Sequence, residues 1–128
     1  MKLITIYKCF CDETRLRILA LLCESPLCGC HIQQVMGKSQ VIISQHLAYL
    51  RERKMVVVRR HQQWMIYSIP TPRPPELETN LKCLQDCIQT EPLFKKDRAA
   101  LKKLIGTKNL LLDEGCCQKP TRIHPCTT

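Results

Sequence analysis

Two helical patterns joined by a tight turn lie between residues 27 and 50, and they constrain the fold more than any other feature. Residues 27–35 have the apolar spacing of a short helix, and Gly37 follows where a left-handed residue commonly ends one. Ser39 is a good N-cap for a second helix. The apolar stripe of that helix consists of Ile42, Ile43, Leu47 and Leu50. This order predicts a helix-turn-helix unit.

The second helix leaves a polar face beside its apolar stripe. The side chains on or near that face are those of Ser39, Gln40, Ser44, Gln45, His46 and Arg51. A helix in the major groove reads base edges through such hydrogen-bonding groups, and glutamine suits a bidentate contact with adenine. We therefore predict that this face reads double-stranded DNA. The alternative is a polar surface that has no partner.

A basic β-hairpin is predicted directly after this helix. Residues 55–60 and 64–69 are two β-prone runs around a short polar turn, the arrangement called a wing when it follows a recognition helix. Six basic residues between positions 38 and 61 stand against one acidic residue. These are Lys38, Arg51, Arg53, Lys54, Arg59 and Arg60. We expect the arginines among them to contact phosphates, because concentrated positive charge indicates a polyanion partner.

Helical patterns flank this unit on both sides. Asp12 is a good N-cap for residues 14–23, and further apolar stripes run through residues 76–88 and 92–106. We predict a mainly α fold with a small β-hairpin, a winged helix-turn-helix with helical dimerisation elements at both ends. The predicted divisions are a DNA-binding domain at 1–70, C-terminal dimerisation helices at 71–106 and a flexible cysteine-rich tail at 107–128.

Four segments together resemble the ArsR/SmtB family. They are FCDETRLRIL at 10–19, LCGCHI at 27–32, SQVIISQHL at 39–47 and LRERKMV at 50–56. The resemblance covers residues 5–70 closely and the next helix more loosely. It implies a homodimeric winged-helix repressor that binds a palindromic operator and releases it on binding a metal or metalloid. The implied dimer contacts are the N-terminal helix and the helices between residues 76 and 105.

Ten cysteines in 128 residues point to thiol chemistry. The N-terminal run lacks the pattern of an export signal and no stretch is long enough to span a bilayer, so we expect a cytoplasmic protein with no membrane partner. Thiols there stay reduced and favour soft-metal binding or redox sensing over disulfides. The resemblance implies zinc and nickel sites made of histidine and carboxylates, but no histidine lies between His61 and His124. A sensor would therefore consist of sulfur.

Two cysteine sets compete as the sensor of trivalent arsenic, As(III), or antimony, Sb(III). The preferred set is Cys116, Cys117 and Cys126 in the tail, where one segment of the chain supplies all three thiolates. The second choice is Cys28 and Cys30, which resemble the arsenic motif of the family's founding repressors except that Gln33 stands where a third cysteine would be. The alternative is a repressor of the same fold whose inducer is cadmium, lead, an oxidant or a persulfide.

The remaining cysteines are predicted to have structural roles. We expect Cys9, Cys11 and Cys23 to fill the core, and Cys83 and Cys87 to pack between helices at the dimer interface.

An enzymatic alternative rests on the Cys-x5-Arg spacing of phosphatase-like arsenate reductases. This spacing occurs from Cys11 to Arg17 and from Cys116 to Arg122. The first loop has no glycine to wrap an oxyanion, and the second has no following helix. We therefore predict no catalysis.

Overall fold

The computed structural model describes residues 2–107, which form six helices and three strands. The helices are α1 (Lys2–Phe10), α2 (Glu13–Glu24), α3 (Gly29–Met36), α4 (Gln40–Glu52), α5 (Pro75–Ile88) and α6 (Pro92–Thr107). The strands are β1 (Leu27–Cys28), β2 (Val57–His61) and β3 (Trp64–Ser68). The predicted winged helix-turn-helix is confirmed, with α3 and α4 as its helices and β2–β3 as its wing. The predicted domain divisions stay a prediction, and the tail lies outside the described residues.

Local capping signals fix the helix boundaries. The Asp12 carboxylate accepts a hydrogen bond from the Arg15 backbone N–H at 3.0 Å, and the Ser39 hydroxyl accepts one from that of Ile42 at 3.3 Å. Gly37 ends α3 with φ +67°, the left-handed conformation that glycine adopts at least cost. All three caps were predicted from the sequence and are confirmed.

The sheet corrects the prediction for residues 27 and 28. Leu27 pairs with Tyr67 and Cys28 with Ile66, so β1 adds a third antiparallel strand and the strand order is β1-β3-β2. The observed helix α3 therefore starts at Gly29, two residues after the predicted start. The partners of this short strand lie about forty residues away, where helical spacing cannot reveal them.

The main core surrounds α2. Residues 17–22 are all buried, because the helix is covered on several sides by α1, α4, α5 and α6. Inside this helical layer the Arg17 guanidinium donates two hydrogen bonds to the Asp97 carboxylate, at 2.8 and 2.9 Å. The pKa of Arg17 is raised by these hydrogen bonds. The pair fastens α6 to α2.

Two predicted core residues are instead exposed. The buried stripe of α4 consists of Ile43, Leu47 and Leu50. Ile42 is rotated by about 100° from Ile43 around the helix axis and is 40% exposed. Cys9 is buried as predicted, but Cys11 is exposed in the turn between α1 and α2. None of the helices within residues 2–107 has the length and apolar character needed to cross a membrane.

Candidate nucleic-acid interface and thiol sites

The outer face of α4 carries some of the predicted DNA-reading side chains. Gln45 is exposed at its centre, and Arg51 is exposed near its C-terminal end. Gln40 and Ser44 are half-buried at the edges of this face. Ser39 is exposed, although its hydroxyl caps the helix. The face therefore presents amide and hydroxyl groups from the first two turns of the helix.

His46 lies on a different side of α4 from Gln45. Its Nδ1 atom is 3.8 Å from Asp12 Oδ2, so the ring faces the start of α2. Desolvation raises the pKa of Asp12, but the Arg15 backbone N–H, His46 and the Arg15 charge lower it by more, and the net shift is downward. The structure thus places His46 between the two helices, apart from the exposed reading face.

Two apolar side chains also lie on this face, and of these Ile42 was predicted to be buried while Val41 was assigned no role. Val41 is 60% exposed and Ile42 is 40% exposed, both in the first turn of α4. The signal was available: the i, i+4, i+7 spacing of Ile43, Leu47 and Leu50 defines the inner face and leaves residues 41 and 42 outside it. Exposed methyl groups beside glutamine suit contact with a thymine methyl in the major groove.

The wing places its two arginines on an outer strand. β2 is an edge strand, and Arg59 and Arg60 are both exposed on it. The Arg60 Nε atom donates to the Gln62 carbonyl at 2.8 Å, which holds that side chain along the hairpin turn. Charged residues also protect such an edge from pairing with other chains, so both roles are compatible.

Arg53 is committed to packing within the fold. Its guanidinium lies 3.5 Å from the centroid of the Tyr49 ring and donates to the Tyr49 carbonyl at 3.1 Å. Arg15 lies over the same ring at 4.1 Å. The structure shows this cation–π arrangement, and the phosphate contact of Arg53 stays a prediction.

A buried dithiol lies where the helix-turn-helix meets the wing. Cys28 and Cys30 are both buried, with their Sγ atoms 2.9 Å apart. Cys28 Sγ is also 3.3 Å from Nδ1 of His31. Cys28 is the N-cap residue of α3 and Cys30 lies in its first turn. Cys28 Sγ therefore contacts both the Cys30 thiol and the His31 ring.

The dithiol packs against the wing. Cys28, Cys30, Trp64 and Ile66 form a small hydrophobic cluster separate from the main core. Cys28 also pairs with Ile66 through the β1–β3 ladder. Trp64 is the only tryptophan in the chain. The dithiol therefore lies between α3 and β3, the central strand of the sheet.

Two buried side-chain nitrogens of α3 have no hydrogen-bond partner among the described residues. Within residues 2–107, neither His31 Nε2 nor Gln33 Nε2 finds a hydrogen bond, although both atoms are buried. No group of three or more histidine, cysteine or acidic side chains in this part of the chain is arranged to hold a metal ion. The pair Cys28/Cys30 thus offers two sulfur ligands and needs a third donor from elsewhere for arsenite.

The other cysteines divide by burial. Burial raises the pKa of the Cys9 thiol, and the same cause raises that of Cys23 to about 11. Both pack in or against the main core, as predicted. Cys83 and Cys87 are exposed on α5. The preferred sensor residues Cys116, Cys117 and Cys126 lie outside the described residues.

The described Cys-x5-Arg segment is unsuited to oxyanion chemistry. Arg17 is buried and held by Asp97, while Cys11 is exposed outside α2. The arginine that would bind the oxyanion is therefore engaged by α6. The second segment, from Cys116 to Arg122, lies in the tail.

Comparison with known proteins identifies the family. Residues 12–56 match the family model described as bacterial regulatory protein, arsR family. The arsenic resistance transcriptional regulator ArsR2 of Pseudomonas putida is 34% identical over 115 residues, which cover 88% of this chain and 95% of that protein. ArsR1 of the same organism is 36% identical over 85 residues, 66% of each chain.

A solved structure supports the same assignment. HlyU from Vibrio cholerae N16961 aligns with a TM-score of 0.60 and 28% sequence identity, covering 67% of this chain and 90% of that one. A second structure of that protein is described as reduced HlyU. The family model and the named relatives are those of transcriptional regulators rather than of enzymes. The chain belongs to the ArsR family of bacterial regulatory proteins and is a winged helix-turn-helix transcriptional repressor.

Proposed function

We propose that this protein is a homodimeric repressor that binds operator DNA and releases it when As(III), or the similar Sb(III), binds cysteine thiolates. The observation that carries the proposal is the contact of Cys28 and Cys30 at 2.9 Å, buried between α3 and the wing. Thiolates are the donors that soft ions select. Two relatives named as arsenic resistance regulators support arsenic as the inducer.

DNA reading is assigned to α4 and the wing. Gln45 is the central base-reading side chain, with Gln40 and Ser44 beside it and the apolar Val41 and Ile42 suited to thymine methyls. The phosphate contacts are assigned to Arg51, Arg59 and Arg60. Ser39 serves mainly as a cap. We place His46 at the margin of this interface, because its ring faces Asp12.

Dimerisation is assigned to the terminal helices. Ile4 and Tyr7 are each about half exposed and lie one helical turn apart on α1. Ile105 is exposed near the end of α6. Large exposed apolar side chains at both ends of the fold fit a two-fold interface, which would present two α4 helices to a palindromic operator.

The metalloid needs three sulfur ligands, and two cysteine sets can provide them. Cys116, Cys117 and Cys126 supply all three from the tail. Cys28 and Cys30 supply two, and the third would come from the tail or from the partner subunit. We favour participation of Cys28 and Cys30, because ligand binding there has a direct physical connection to the DNA-reading elements.

The connection runs through the small cluster around Trp64. A metalloid on Cys28 and Cys30 would replace their direct contact with bonds to a shared atom, and Trp64 and Ile66 pack against both thiols. The wing and α3 would then shift relative to one another. A coupling free energy of about 1–3 kcal/mol, typical of allosteric regulators, lowers operator affinity roughly 5- to 150-fold.

A thiol redox sensor is the second candidate. The closeness of the Cys28 and Cys30 sulfur atoms also suits oxidation, and a relative has been solved in a reduced form. Persulfide, cadmium and lead remain inducers to be compared with arsenite in the same assay.

The test is the anisotropy of a labelled operator bound by the reduced full-length protein. The operator is selected from random duplexes, and the complex is titrated with arsenite, cadmium, lead or hydrogen peroxide. We expect arsenite to release the DNA at the lowest concentration. Serine variants of Cys28/Cys30 and of Cys116/Cys117/Cys126 then locate the sensor. Failure of arsenite to release DNA from the wild-type protein would contradict the proposal.

A further inference from the structure

A third face of α4 lies between its reading face and its buried stripe. It consists of His46, Tyr49 and the C-cap residue Arg53, whose i, i+3 and i+7 positions share one side of a helix. All three residues are half-buried. The His46 ring faces Asp12, and the Tyr49 ring contacts Arg15. This third face is therefore turned toward the junction of α1 and α2.

Arg15 fastens α2 to the C-terminal end of α1. Its Nε atom donates to the Cys9 carbonyl at 3.1 Å, and its Nη2 atom donates to the Lys8 carbonyl at 2.9 Å. The last four carbonyls of a helix lack partners within that helix, and a cation is favourable beside them. Because the donors of a guanidinium form a rigid, planar fork, these two hydrogen bonds fix the orientation of its plane.

The Tyr49 ring lies against this fixed guanidinium. The Arg15 Cζ atom is 4.1 Å from the ring centroid, well within the limit of about 6 Å for a cation–π contact. Arg53 contacts the same ring at 3.5 Å, but it belongs to the end of the same helix. Of these two contacts, only the one with Arg15 joins α4 to another element. Through it, the helix assigned to DNA reading is connected to the end of α1.

The position of α4 relative to α1 decides where the two reading helices lie in a dimer. α1 is one of the proposed dimerisation elements, and Ile4 and Tyr7 are its exposed apolar side chains. A two-fold repressor presents its reading helices to half-sites about one turn of DNA apart. One inserted base pair moves a half-site by about 3.4 Å and rotates it by about 35°. A rigid connection from α1 to α4 therefore makes the dimer selective for one spacing.

We propose that Tyr49 is a positioning residue for operator recognition, and that its contact with Arg15 sets the half-site spacing that the dimer accepts. This role rests on the proposed function as a dimeric DNA-binding repressor. The buried stripe of α4 holds the helix in the core through aliphatic packing, which is non-directional. The stacking of an aromatic ring on a planar guanidinium has a preferred geometry. The contact with Arg15 therefore restrains rotation of α4 more than the stripe does.

The experiment measures operator affinity as a function of half-site spacing. The reduced full-length protein, without arsenite, is titrated into labelled duplexes with the selected spacing and with one or two base pairs inserted or removed between the half-sites. We expect the wild-type protein to bind the selected spacing about tenfold more tightly than the shifted ones, or better. Tyr49→Leu should reduce this ratio to about threefold or less. The ratio compares two DNAs for one protein, so a lower folded fraction cancels from it.

Further variants separate positioning from packing. Tyr49→Phe keeps the ring and should keep the wild-type ratio. Arg15→Lys keeps the charge but not the fork, so it should lower the ratio as Tyr49→Leu does. The two changes together should lower it no further, since both residues act through one contact. Arg53→Gln should leave the ratio unchanged, because its contact with the ring joins α4 to no other element.

Thermal unfolding shows which variants are folded, and Arg15→Lys provides the test if Tyr49→Leu is not. A wild-type ratio in folded Arg15→Lys or Tyr49→Leu protein would overturn the role of Tyr49, and so would a reduced ratio in Tyr49→Phe. The underlying function fails in a different way. A wild-type protein that binds single and paired half-sites equally would contradict the dimeric repressor itself, and the role of Tyr49 with it.

Discussion

The buried pair Cys28/Cys30 and the exposed pair Cys83/Cys87 have the same chemical groups in opposite surroundings. The first lies between α3 and β3, where any rearrangement of the sulfur atoms moves an element assigned to DNA reading. The second lies on the solvent side of α5 next to an apolar cavity. The placement of a dithiol in the fold therefore decides what it can do. Contact with α3 and β3 permits coupling of the first pair to the elements assigned to DNA reading, whereas the second pair shares one side of a single helix.

The largest change in stability is expected for Asp97→Asn, because Asp97 joins α6 to α2 through Arg17. This change leaves the Arg17 charge buried without its partner, and loss of one partner from a buried ion pair costs about 3–5 kcal/mol. Thermal unfolding should show a large fall in Tm.

Two control variants sharpen this prediction. Lys96→Gln changes an exposed residue next to Asp97 and should leave Tm nearly unchanged. Arg17→Met/Asp97→Leu removes both charges and should recover most of the loss, as apolar replacement of buried ion pairs often does. A stable Asp97→Asn protein would show that the pair contributes little.

Replacing each cysteine pair with serine tests whether the two pairs differ in function. Cys28→Ser/Cys30→Ser should remove the allosteric coupling, so that arsenite no longer lowers operator affinity by the roughly 5- to 150-fold expected of the wild-type protein. Cys83→Ser/Cys87→Ser is the matched control and should leave release by arsenite unchanged. Operator anisotropy measures both. Equal responses of the two variants would remove the distinction between the pairs.

Substitutions on the reading surface separate specificity from general affinity. Gln45→Ala should cost about 1–3 kcal/mol on the selected operator and little on random DNA, because it removes a base contact. Arg59→Ala should weaken binding to all sequences and lower the salt slope by about 1, because it removes a phosphate contact. Fluorescence anisotropy at several salt concentrations distinguishes these outcomes. If Gln45→Ala weakened both DNAs equally, the assignment of base reading to α4 would fail.

The smallest effect on stability is expected at the start of α2, which contains neither cysteine pair. Asp12→Ala removes an N-cap and should cost about 1 kcal/mol at neutral pH. The pKa of Asp12 is lowered by folding, so its contribution is present above the usual value of 3.8 and is lost as the pH falls through the folded value. Urea unfolding at neutral and acidic pH should show the difference between wild type and variant shrinking in acid.

Sequence patterns predicted the parts of the fold that depend on local physics. Asp12, Gly37 and Ser39 acted as the caps and the helix end that their side chains favour. The wing was also predicted, but the pairing of Leu27 and Cys28 with β3 was not, since ladder partners are distant in sequence. The Arg17–Asp97 pair spans 80 residues and was missed for the same reason.

The candidate sites were predictable to a similar extent. Gln45 was identified from helical spacing, and Cys28 and Cys30 from the resemblance to the family's arsenic motif. The structure places them as an exposed side chain and a contacting pair. The packing of Trp64 against the dithiol depends on the fold of the wing, which no spacing rule provides. The cavity beside Cys83 and Cys87 likewise requires α2, α5 and α6 to be assembled.

One titration tests most directly the claim that thiol binding is coupled to DNA release. Arsenite is added to the operator complex while the emission of Trp64, the sole tryptophan, and the anisotropy of the labelled DNA are recorded together. We predict that both signals change over the same arsenite range and that Cys28→Ser/Cys30→Ser abolishes both changes. DNA release with no change in Trp64 emission would contradict the account and assign sensing to cysteines elsewhere in the chain.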